Sequence, residues 1–164
     1  NGEIIDGISR YIDDETTHMS DDEILVLARA VYEEAQRYKI DYRLILAMMK
    51  VESRFHGSAV SSKGARGFLQ VKPSLARYIA EEAGVPWKGS ATLHEPKHNV
   101  RLGVHFFSGL MDDFANVSLA LHAYNMGPNR LKKLIAGRNT TLNKGFSRRV
   151  LSEYDAICTI LPRA

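Results

Sequence analysis

The chain has 164 residues, 45% of them hydrophobic and 25% charged, which is the composition of an ordinary soluble globular protein. Its formal net charge is +3 and its lysines and arginines are scattered, without the dense basic stripe of a nucleic-acid-binding surface, so no nucleic-acid partner is expected. The single cysteine excludes an internal disulfide, and no apolar run reaches the roughly 18 residues of a membrane-spanning helix.

The first third of the chain predicts three helices. A weak helical period covers residues 3–14. Ser20 and Glu23 then form a capping box, in which the hydroxyl and the carboxylate satisfy free backbone N–H groups, and a helix with one apolar face follows to about Tyr38. Asp41 caps the next segment, which is apolar on most sides and runs to about Ser53. We predict that this third helix is the buried centre of the fold.

The sequence from 54 to 72 interrupts the helical period. Its glycines and serines predict a long irregular loop, and such loops inside a compact domain are commonly functional. Five further helices are predicted, three of them opened by a proline: 73–83, 96–114, 117–126, 128–137 and 146–161. No segment alternates as a strand does, so the predicted fold is all-α. We expect one domain over residues 1–164, with 1–19 as an N-terminal helical extension of a domain at 20–164.

Glu52 is the residue best placed for catalysis. It closes the apolar third helix, and a carboxyl among apolar side chains has a raised pKa because burial disfavours its charged form. A carboxyl that is still protonated near neutral pH is able to act as a general acid. The alternative is an exposed Glu, or one paired with Arg54 or Arg66, and its position alone does not decide between them.

Three short segments carry a resemblance. They are Glu52-Ser53, Gly67-Phe-Leu-Gln-Val-Lys-Pro73 and Ala123-Tyr-Asn-Met-Gly-Pro128. Around Glu52 further residues keep the same register: Phe55, Ala59, Ser61, Gly64 and Ala65. The spacing resembles that of the soluble-type (SLT-domain, family 1) lytic transglycosylases, which are similar to goose-type lysozymes. The segment Glu95-Pro-Lys-His-Asn-Val100 also resembles a family element, and so many spaced matches are more specific than one motif.

The resemblance implies a lysozyme-like helical domain with a substrate groove between the 54–72 loop and the later helices. It implies that Glu52 protonates the oxygen of the MurNAc-β-1,4-GlcNAc bond of peptidoglycan. Glu52 then accepts the proton of the sugar's C6 hydroxyl, which attacks in place of water and leaves a 1,6-anhydromuramoyl end. No cofactor and no metal are expected.

The resemblance also implies substrate contacts and backbone roles for other motif residues. The implied substrate contacts are Ser53, Phe68, Gln70, Tyr124, Asn125 and Met126, and the implied backbone positions are Gly67 and Gly127. The Tyr124 hydroxyl is expected against the Glu52 carboxyl. Structural interpretations stay open: Ser53 as a helix cap, Gln70 as a surface amide, Asn125 as a helix stop, and Phe68, Met126 and the Tyr124 ring as core.

The chain departs from the family pattern at three places. Phe68-Leu69 replaces the usual Leu-Met pair, which is a tolerable apolar exchange. Lys72 stands where an apolar residue is common, so a substrate subsite is expected to differ. Phe146 lies near the position of a tyrosine in a late motif, so no polar contact by a hydroxyl is expected there.

A second carboxylate would change the chemistry. Ordinary glycosidases use two, one as acid and one as base or nucleophile. Asp112 and Asp113 end a long helix, but adjacent helical residues point apart, and a solvated helix end is the better interpretation. Two alternatives keep the fold: a goose-type muramidase that uses water, and a peptidoglycan-binding module without activity.

A competing motif lies at His94-Glu-Pro-Lys-His98, which matches the His-Glu-x-x-His signature of zinc peptidases. That signature requires both histidines on one established helix. Pro96 indicates that the helix only begins there, so His94 is expected to precede it. A zinc peptidase is therefore a remote alternative.

The expected partner is the glycan strand of peptidoglycan, met in the periplasm or cell envelope of a bacterium. The protein is then expected to be exported, by a signal that this chain does not contain. A membrane anchor upstream of Asn1 stays open, and a monomer is expected.

Overall fold

The computed structural model describes residues 1–137 and 142–164. Within them the chain forms eight α-helices: α1 Gly2–Glu15, α2 Asp21–Tyr38, α3 Tyr42–Ser53, α4 Pro73–Ile79, α5 Pro96–Phe114, α6 Val117–Met126, α7 Pro128–Ala136 and α8 Gly145–Ile160. The described residues contain no β-strand, and two isolated bridges join Arg66 to Val60 and to Val71. The all-α prediction is confirmed. None of the described helices combines the length and apolar character that crossing a membrane requires.

The predicted helix starts agree with the structure because they depend on local chemistry. Both halves of the capping box form, with Ser20 N donating to Glu23 Oε2 at 2.8 Å and Glu23 N donating to Ser20 Oγ at 3.4 Å. The Asp41 carboxylate accepts from Arg43 N at 2.9 Å at the start of α3. A proline occupies the first turn of α4, α5 and α7.

Two features differ from the prediction between residues 79 and 95. Helix α4 ends at Ile79 rather than near Ala83, and the chain continues in tight turns in which Val85 N donates to the Ala80 carbonyl at 2.8 Å. A 3₁₀ helix, Ser90–His94, then leads into α5. The sequence pattern does not predict it, because a single 3₁₀ turn is too short to show a period.

Helix α3 is the centre of the fold, as predicted. All of its residues from 42 to 49 are buried, including Leu46, Ala47 and Met49 at 0% exposure. It packs mainly against α8 and also against α2. The C-terminal end of this buried helix carries Glu52, so the core positions the candidate acid directly.

The core also holds a carboxylate away from Glu52. Glu34 on α2 is fully buried, and its Oε1 accepts from Arg101 Nε on α5 at 2.9 Å. Its Oε2 accepts from Arg37 Nε at 3.1 Å. Two arginines thus satisfy this buried charge and join α2 to α5, which is a structural role.

Candidate active site

The end of α3 is a sharp backbone reversal. Arg54 caps the helix in the left-handed conformation with φ 49°, and Phe55 follows with φ 61°. Such angles are uncommon for residues with a side chain and persist where the surroundings fix them. Phe55 is buried at 1% exposure and anchors the reversal in the core. The chain therefore leaves α3 after Ser53, one residue beyond Glu52, and turns into the 54–72 loop.

Ser53 holds the end of α3 against the far side of the loop. Its hydroxyl donates to the Phe68 carbonyl at 2.8 Å and to the Met49 carbonyl at 3.2 Å. The residue is buried at 8% exposure and does not line the groove. The structure therefore supports the helix-end interpretation of Ser53 and does not bring its hydroxyl to a substrate.

Asn99 on α5 holds the loop through its side-chain amide. Its Nδ2 donates to the carbonyls of Arg66 at 2.9 Å and Leu93 at 2.8 Å, and its Oδ1 accepts from Leu69 N at 2.9 Å. The residue is fully buried. All the hydrogen-bonding groups of this short side chain except one lone pair are used, so Asn99 fixes the backbone from 66 to 69.

Gly67 lies at the point where the loop meets this amide. Its φ is +76°, and a Cβ there would overlap both Asn99 Nδ2 and the Leu93 carbonyl oxygen. Gly127 differs, because its φ is +98° but a Cβ would meet open space. Gly67 must be glycine both because of the close approach of its neighbours and because of its positive φ. At Gly127 only the positive φ favours glycine.

Gln70 reaches the groove from a left-handed backbone position with φ 51°. Its Nε2 donates to the carbonyls of Gly67 at 2.9 Å and Ala59 at 3.2 Å. These bonds tie the two sides of the loop together and fix the orientation of the amide. Gln70 is therefore both a groove residue and a support of the loop.

Tyr124 on α6 contacts the same loop. Its hydroxyl donates its proton to the Leu69 carbonyl at 2.6 Å, and the charge of Glu52 acts on it without a hydrogen bond between these two described residues. The ring packs against Phe106 and Phe107, with centroid separations of 5.5 Å and 6.1 Å. Burial, with a smaller contribution from the charge of Glu52, raises the pKa of Tyr124 well above its ordinary value. Tyr124 is thus a neutral hydroxyl close to Glu52.

A groove of about 740 Å³ joins these elements. It lies between the 61–72 part of the loop, the turn from α6 to α7 and the start of α8. Six of the predicted site residues line it: Glu52, Gln70, Tyr124, Asn125, Met126 and Gly127. The groove is in the predicted place.

Phe68 is a second predicted substrate contact that the structure does not bring to the groove. Its side chain is buried at 4% exposure and does not line the groove. Its ring packs directly over Gly57, where an added Cβ would lie 2.8 Å from the ring. Phe68 is therefore a core residue that fastens one side of the loop onto the other.

Glu52 is chemically distinct from the other carboxylates. Burial raises the pKa of Glu52 from 4.5 to about 8, and the positive charge of Arg149 opposes part of that rise. It is the one acidic residue among the described groove residues, which also include Lys63, Lys72, Arg130 and Arg149. Asp112 and Asp113 are exposed and do not line the groove. The site therefore combines one protonated carboxyl with a basic lining.

The departures from the family pattern also fall on the groove. Lys72 is exposed and lines it, so a charge replaces the common apolar side chain at that point. Phe146 also lines it but is buried at 6% exposure, which leaves an apolar surface without a hydroxyl.

Several residues of the site lie outside the sequence-based predictions. Asn99 belongs to an element that shows the resemblance, but its contact with the loop follows only from the fold. Gly103 lies inside α5, where an added Cβ would lie 2.6 Å from Leu69 Cδ1 and 3.2 Å from the Tyr124 hydroxyl. A glycine inside a predicted helix signals such a close approach. For Arg149 the only signal is the Arg148-Arg149 pair, which does not distinguish a groove residue from an exposed one.

The two histidines of the zinc signature do not form a ligand pair. His94 belongs to the 3₁₀ helix before α5, and its ring nitrogens contact the Gly57 carbonyl at 2.9 Å and Arg66 Nη1 at 3.3 Å. His98 Nδ1 lies 2.9 Å from Glu95 Oε2. No group of three metal-ligating side chains is present in the described part of the chain. The geometry gives no support to a zinc peptidase.

The described residues thus form a helical domain with one carboxyl of raised pKa in a groove that also carries lysines and arginines. Residues 29–146 match the family model for the transglycosylase SLT domain. The chain belongs to this family, and the predicted family is confirmed.

Relatives and solved structures agree with this family. The membrane-bound lytic murein transglycosylase C of Haemophilus ducreyi is 31% identical over 163 residues, which cover 91% of this chain and 44% of that protein. The soluble lytic murein transglycosylase of Salmonella typhimurium is 28% identical over 126 residues, covering 68% of this chain and 19% of that protein. The chain thus spans less than half the length of either relative.

The fold matches a solved structure of an inactive mutant of lytic transglycosylase Slt from Pseudomonas aeruginosa. The TM-score is 0.72 at 24% identity, over 92% of this chain and 27% of that one. The lysozyme-like helical fold is therefore confirmed.

Proposed function

We propose that this chain is a lytic murein transglycosylase domain, with Glu52 as its catalytic acid and base. The observation that carries the proposal is that Glu52 is the one acidic residue among the described groove residues and has a pKa raised to about 8. A carboxyl with that pKa keeps its proton at neutral pH and is able to donate it. Membership of the transglycosylase SLT domain family and the names of the relatives support the substrate, which is murein.

The proposed reaction cleaves the MurNAc-β-1,4-GlcNAc bond without water. Glu52 donates its proton to the glycosidic oxygen as the bond from that oxygen to C1 of MurNAc breaks. The C6 hydroxyl of the same MurNAc attacks C1, and its proton passes to the Glu52 carboxylate. The products are a free GlcNAc hydroxyl and a 1,6-anhydromuramoyl end, and Glu52 is protonated again.

The other groove residues take supporting roles in this proposal. Gln70, Asn125 and Met126 line the groove and contact the sugars. Tyr124, whose hydroxyl is held by the Leu69 carbonyl, contributes a neutral surface beside the carboxyl. That surface keeps water from Glu52 and so preserves the raised pKa.

A muramidase on the same fold is the second candidate. A hydrolase that inverts needs a carboxylate to activate water, and one that retains needs a carboxylate nucleophile. The described groove residues offer Glu52 alone for both tasks. An internal sugar hydroxyl needs no second carboxylate, because the same Glu52 accepts its proton.

Mass spectrometry of the fragments released from purified murein sacculi tests the proposal. We expect products lighter by one water than reducing-end fragments, and none from Glu52→Gln. Reducing ends would establish the muramidase. Sacculus binding without release of fragments would establish a non-catalytic module, and undiminished cleavage by Glu52→Gln would remove Glu52 from the mechanism.

We further propose that the chain is one domain, with residues 1–19 as an extension of the part at 20–164. Murein as substrate favours the periplasm or cell envelope as its location, and a monomer is sufficient because one chain supplies the whole groove. Size-exclusion chromatography with light scattering measures the molar mass in solution. A monomer mass is expected, and a dimer mass would contradict the proposal.

A further inference from the structure

A second cleft, of about 630 Å³, lies at the C-terminal end of α3, the end that carries Glu52. It is bounded by the end of α1, the last turn of α3 and the first half of α8. Arg149 lines both this cleft and the groove, so the two depressions adjoin at that side chain. We name it the basic cleft, after its arginines Arg54, Arg148 and Arg149.

One lysine of the basic cleft is paired with both of its acidic residues. Lys50 Nζ lies 3.1 Å from Glu15 Oε2 on α1 and 3.0 Å from Glu153 Oε2 on α8. These two ion pairs join three helices at the cleft. Both glutamates are thereby held by the same ammonium group, that of Lys50.

The arginines of the basic cleft have no such partners. In the described part of the chain, the arginines that form ion pairs are Arg37, Arg43 and Arg101. Arg54, Arg148 and Arg149 are exposed and form no ion pair with any described residue. Three guanidinium groups around one cleft repel one another, and a bound anion would relieve this repulsion.

The framework around these arginines is rigid. Arg54 is the left-handed cap of α3, followed by the buried anchor Phe55. Helix α1 is held by Ile8 and Ile12, which are fully buried. An arginine on a fixed backbone loses less conformational freedom on binding, and its planar fork matches a carboxylate through two hydrogen bonds.

We propose that the basic cleft binds the carboxylates of the peptide stems that murein carries on its muramoyl lactyl groups. The inference rests on the proposed function, because it places a substituted muramoyl unit beside Glu52. The cleft and the groove share Arg149, and Glu52 lines the groove, so the cleft adjoins the place where a sugar would bind next to the carboxyl. Four cationic side chains line the cleft against two carboxylates, so its surplus of positive charge is small and suits a few dispersed carboxylates better than a polyanion.

The test compares two substrates of the same glycan length: strands with their stems, and strands whose stems an amidase has removed. The variant is Arg54→Gln/Arg148→Gln, which keeps Arg149 because its charge acts on Glu52. We expect the ratio of kcat/KM for intact strands to that for stripped strands to fall about tenfold, mainly through KM. Arg29→Gln, an exposed arginine on α2 that lines neither depression, is the matched control and leaves the ratio unchanged.

Other outcomes overturn the proposal. An unchanged ratio, or an equal loss with both substrates, would show that the arginines do not recognise the stems. Thermal unfolding of the double variant identifies a loss that is due to misfolding. In that event, the single variant Arg148→Gln is measured in its place.

Binding separates this proposal from the proposed function. In a Glu52→Gln background, the dissociation constant for intact strands is expected to rise about tenfold when Arg54 and Arg148 are replaced. A wild type that cleaves neither substrate but keeps this binding difference would refute the activity and leave the stem site in place. No difference in binding would refute the stem site even if cleavage is observed.

Discussion

The proton on Glu52 is held by its surroundings rather than by a partner carboxylate. Burial raises the pKa of Glu52 to about 8, whereas the buried Glu34 is satisfied by two arginines. The two glutamates thus differ in chemistry because arginines form hydrogen-bonded ion pairs with Glu34, whereas Arg149 acts on Glu52 without such a pair. The proposed acid is the one without an ion pair in its environment.

Activity is expected to fall as the pH rises through about 8. A general acid must be protonated, and deprotonation of Glu52 above its raised pKa removes the donor. The dependence of kcat/KM on pH for wild type measures this fall, which is the alkaline limb of the pH profile. Asp112→Asn, which changes an exposed carboxylate outside the groove, is the control and keeps the same limb. A limb near pH 4.5 would contradict the assignment.

The stability of the protein is expected to depend on Glu52 in the same range. Its pKa is about 8 when folded and near 4.5 when unfolded, so folding favours the neutral form. The contribution of neutral Glu52 to the free energy of unfolding is complete below pH 4.5 and is lost as the pH rises to 8. Glu52→Gln does not titrate and so avoids this loss. Between pH 4 and pH 9, its free energy of unfolding is therefore expected to rise relative to that of wild type by on the order of 3 kcal/mol, a figure reduced for the partial exposure of Glu52. Urea unfolding at both pH values measures the change, and an equal difference at both would contradict it.

At the scale of elements, the 54–72 loop owes its form to side chains of three helices that surround it. Asn99 from α5, Tyr124 from α6 and Ser53 from α3 each bond to its backbone carbonyls or amides. The loop is therefore irregular in pattern and yet fixed in place. This fixes the position of Gln70 relative to Glu52.

Asn99→Ala is expected to destabilise the protein by about 2–4 kcal/mol and to reduce cleavage. The change removes three hydrogen bonds and leaves buried backbone groups without partners. Chemical unfolding and sacculus digestion measure the two effects. Asn129→Ala, an exposed asparagine on α7, is the control and is expected to change stability by less than about 0.5 kcal/mol. A loss no larger than that of the control would show that the loop is held by other contacts.

Gly67→Ala is expected to be more damaging than Gly127→Ala. Both glycines have positive φ, which for alanine costs about 1–3 kcal/mol. At Gly67 the new Cβ would also displace Asn99 and the Leu93 carbonyl, which adds about 1–3 kcal/mol. Thermal unfolding of both variants gives the difference. Equal losses would mean that the loop relaxes away from α5 without cost.

Sequence reasoning predicted the helix limits where local chemistry decides them. Caps at Ser20 and Asp41 and the prolines that open helices act within one turn, so they are visible in the sequence. The end of α4 is less predictable, because the backbone keeps nearly helical angles and turns for several residues after Ile79. Local sequence also does not decide which motif residues reach the groove. Ser53 and Phe68 share motifs with groove residues, but the fold directs them into the core.

At the scale of the whole molecule, α1 contributes to the core as well as to the basic cleft. Ile8, Tyr11 and Ile12 are buried, although α1 precedes the region that the family model matches. Burial also raises the pKa of Tyr11 to about 12. If the chain is one domain, α1 and the rest unfold together.

Ile12→Ala tests this cooperativity. Loss of a fully buried isoleucine is expected to cost about 2–5 kcal/mol and to lower the midpoint of one shared transition. Calorimetry and circular dichroism at two wavelengths measure whether the transitions coincide. Val26→Ala, at a position that is 50% exposed on α2, is the control with a small effect. A separate early transition would show that α1 unfolds by itself.

The position of Glu52 in the last turn of α3 has an electrostatic consequence of its own. The peptide dipoles of a helix add up to a partial negative charge at its C-terminal end, which disfavours a carboxylate there. Helix α3 ends one residue after Glu52, so its backbone acts in the same direction as burial. The fold thus needs no neighbouring acid to keep the proton in place. At the first turn of a helix, the same side chain would instead be favoured in its ionised form.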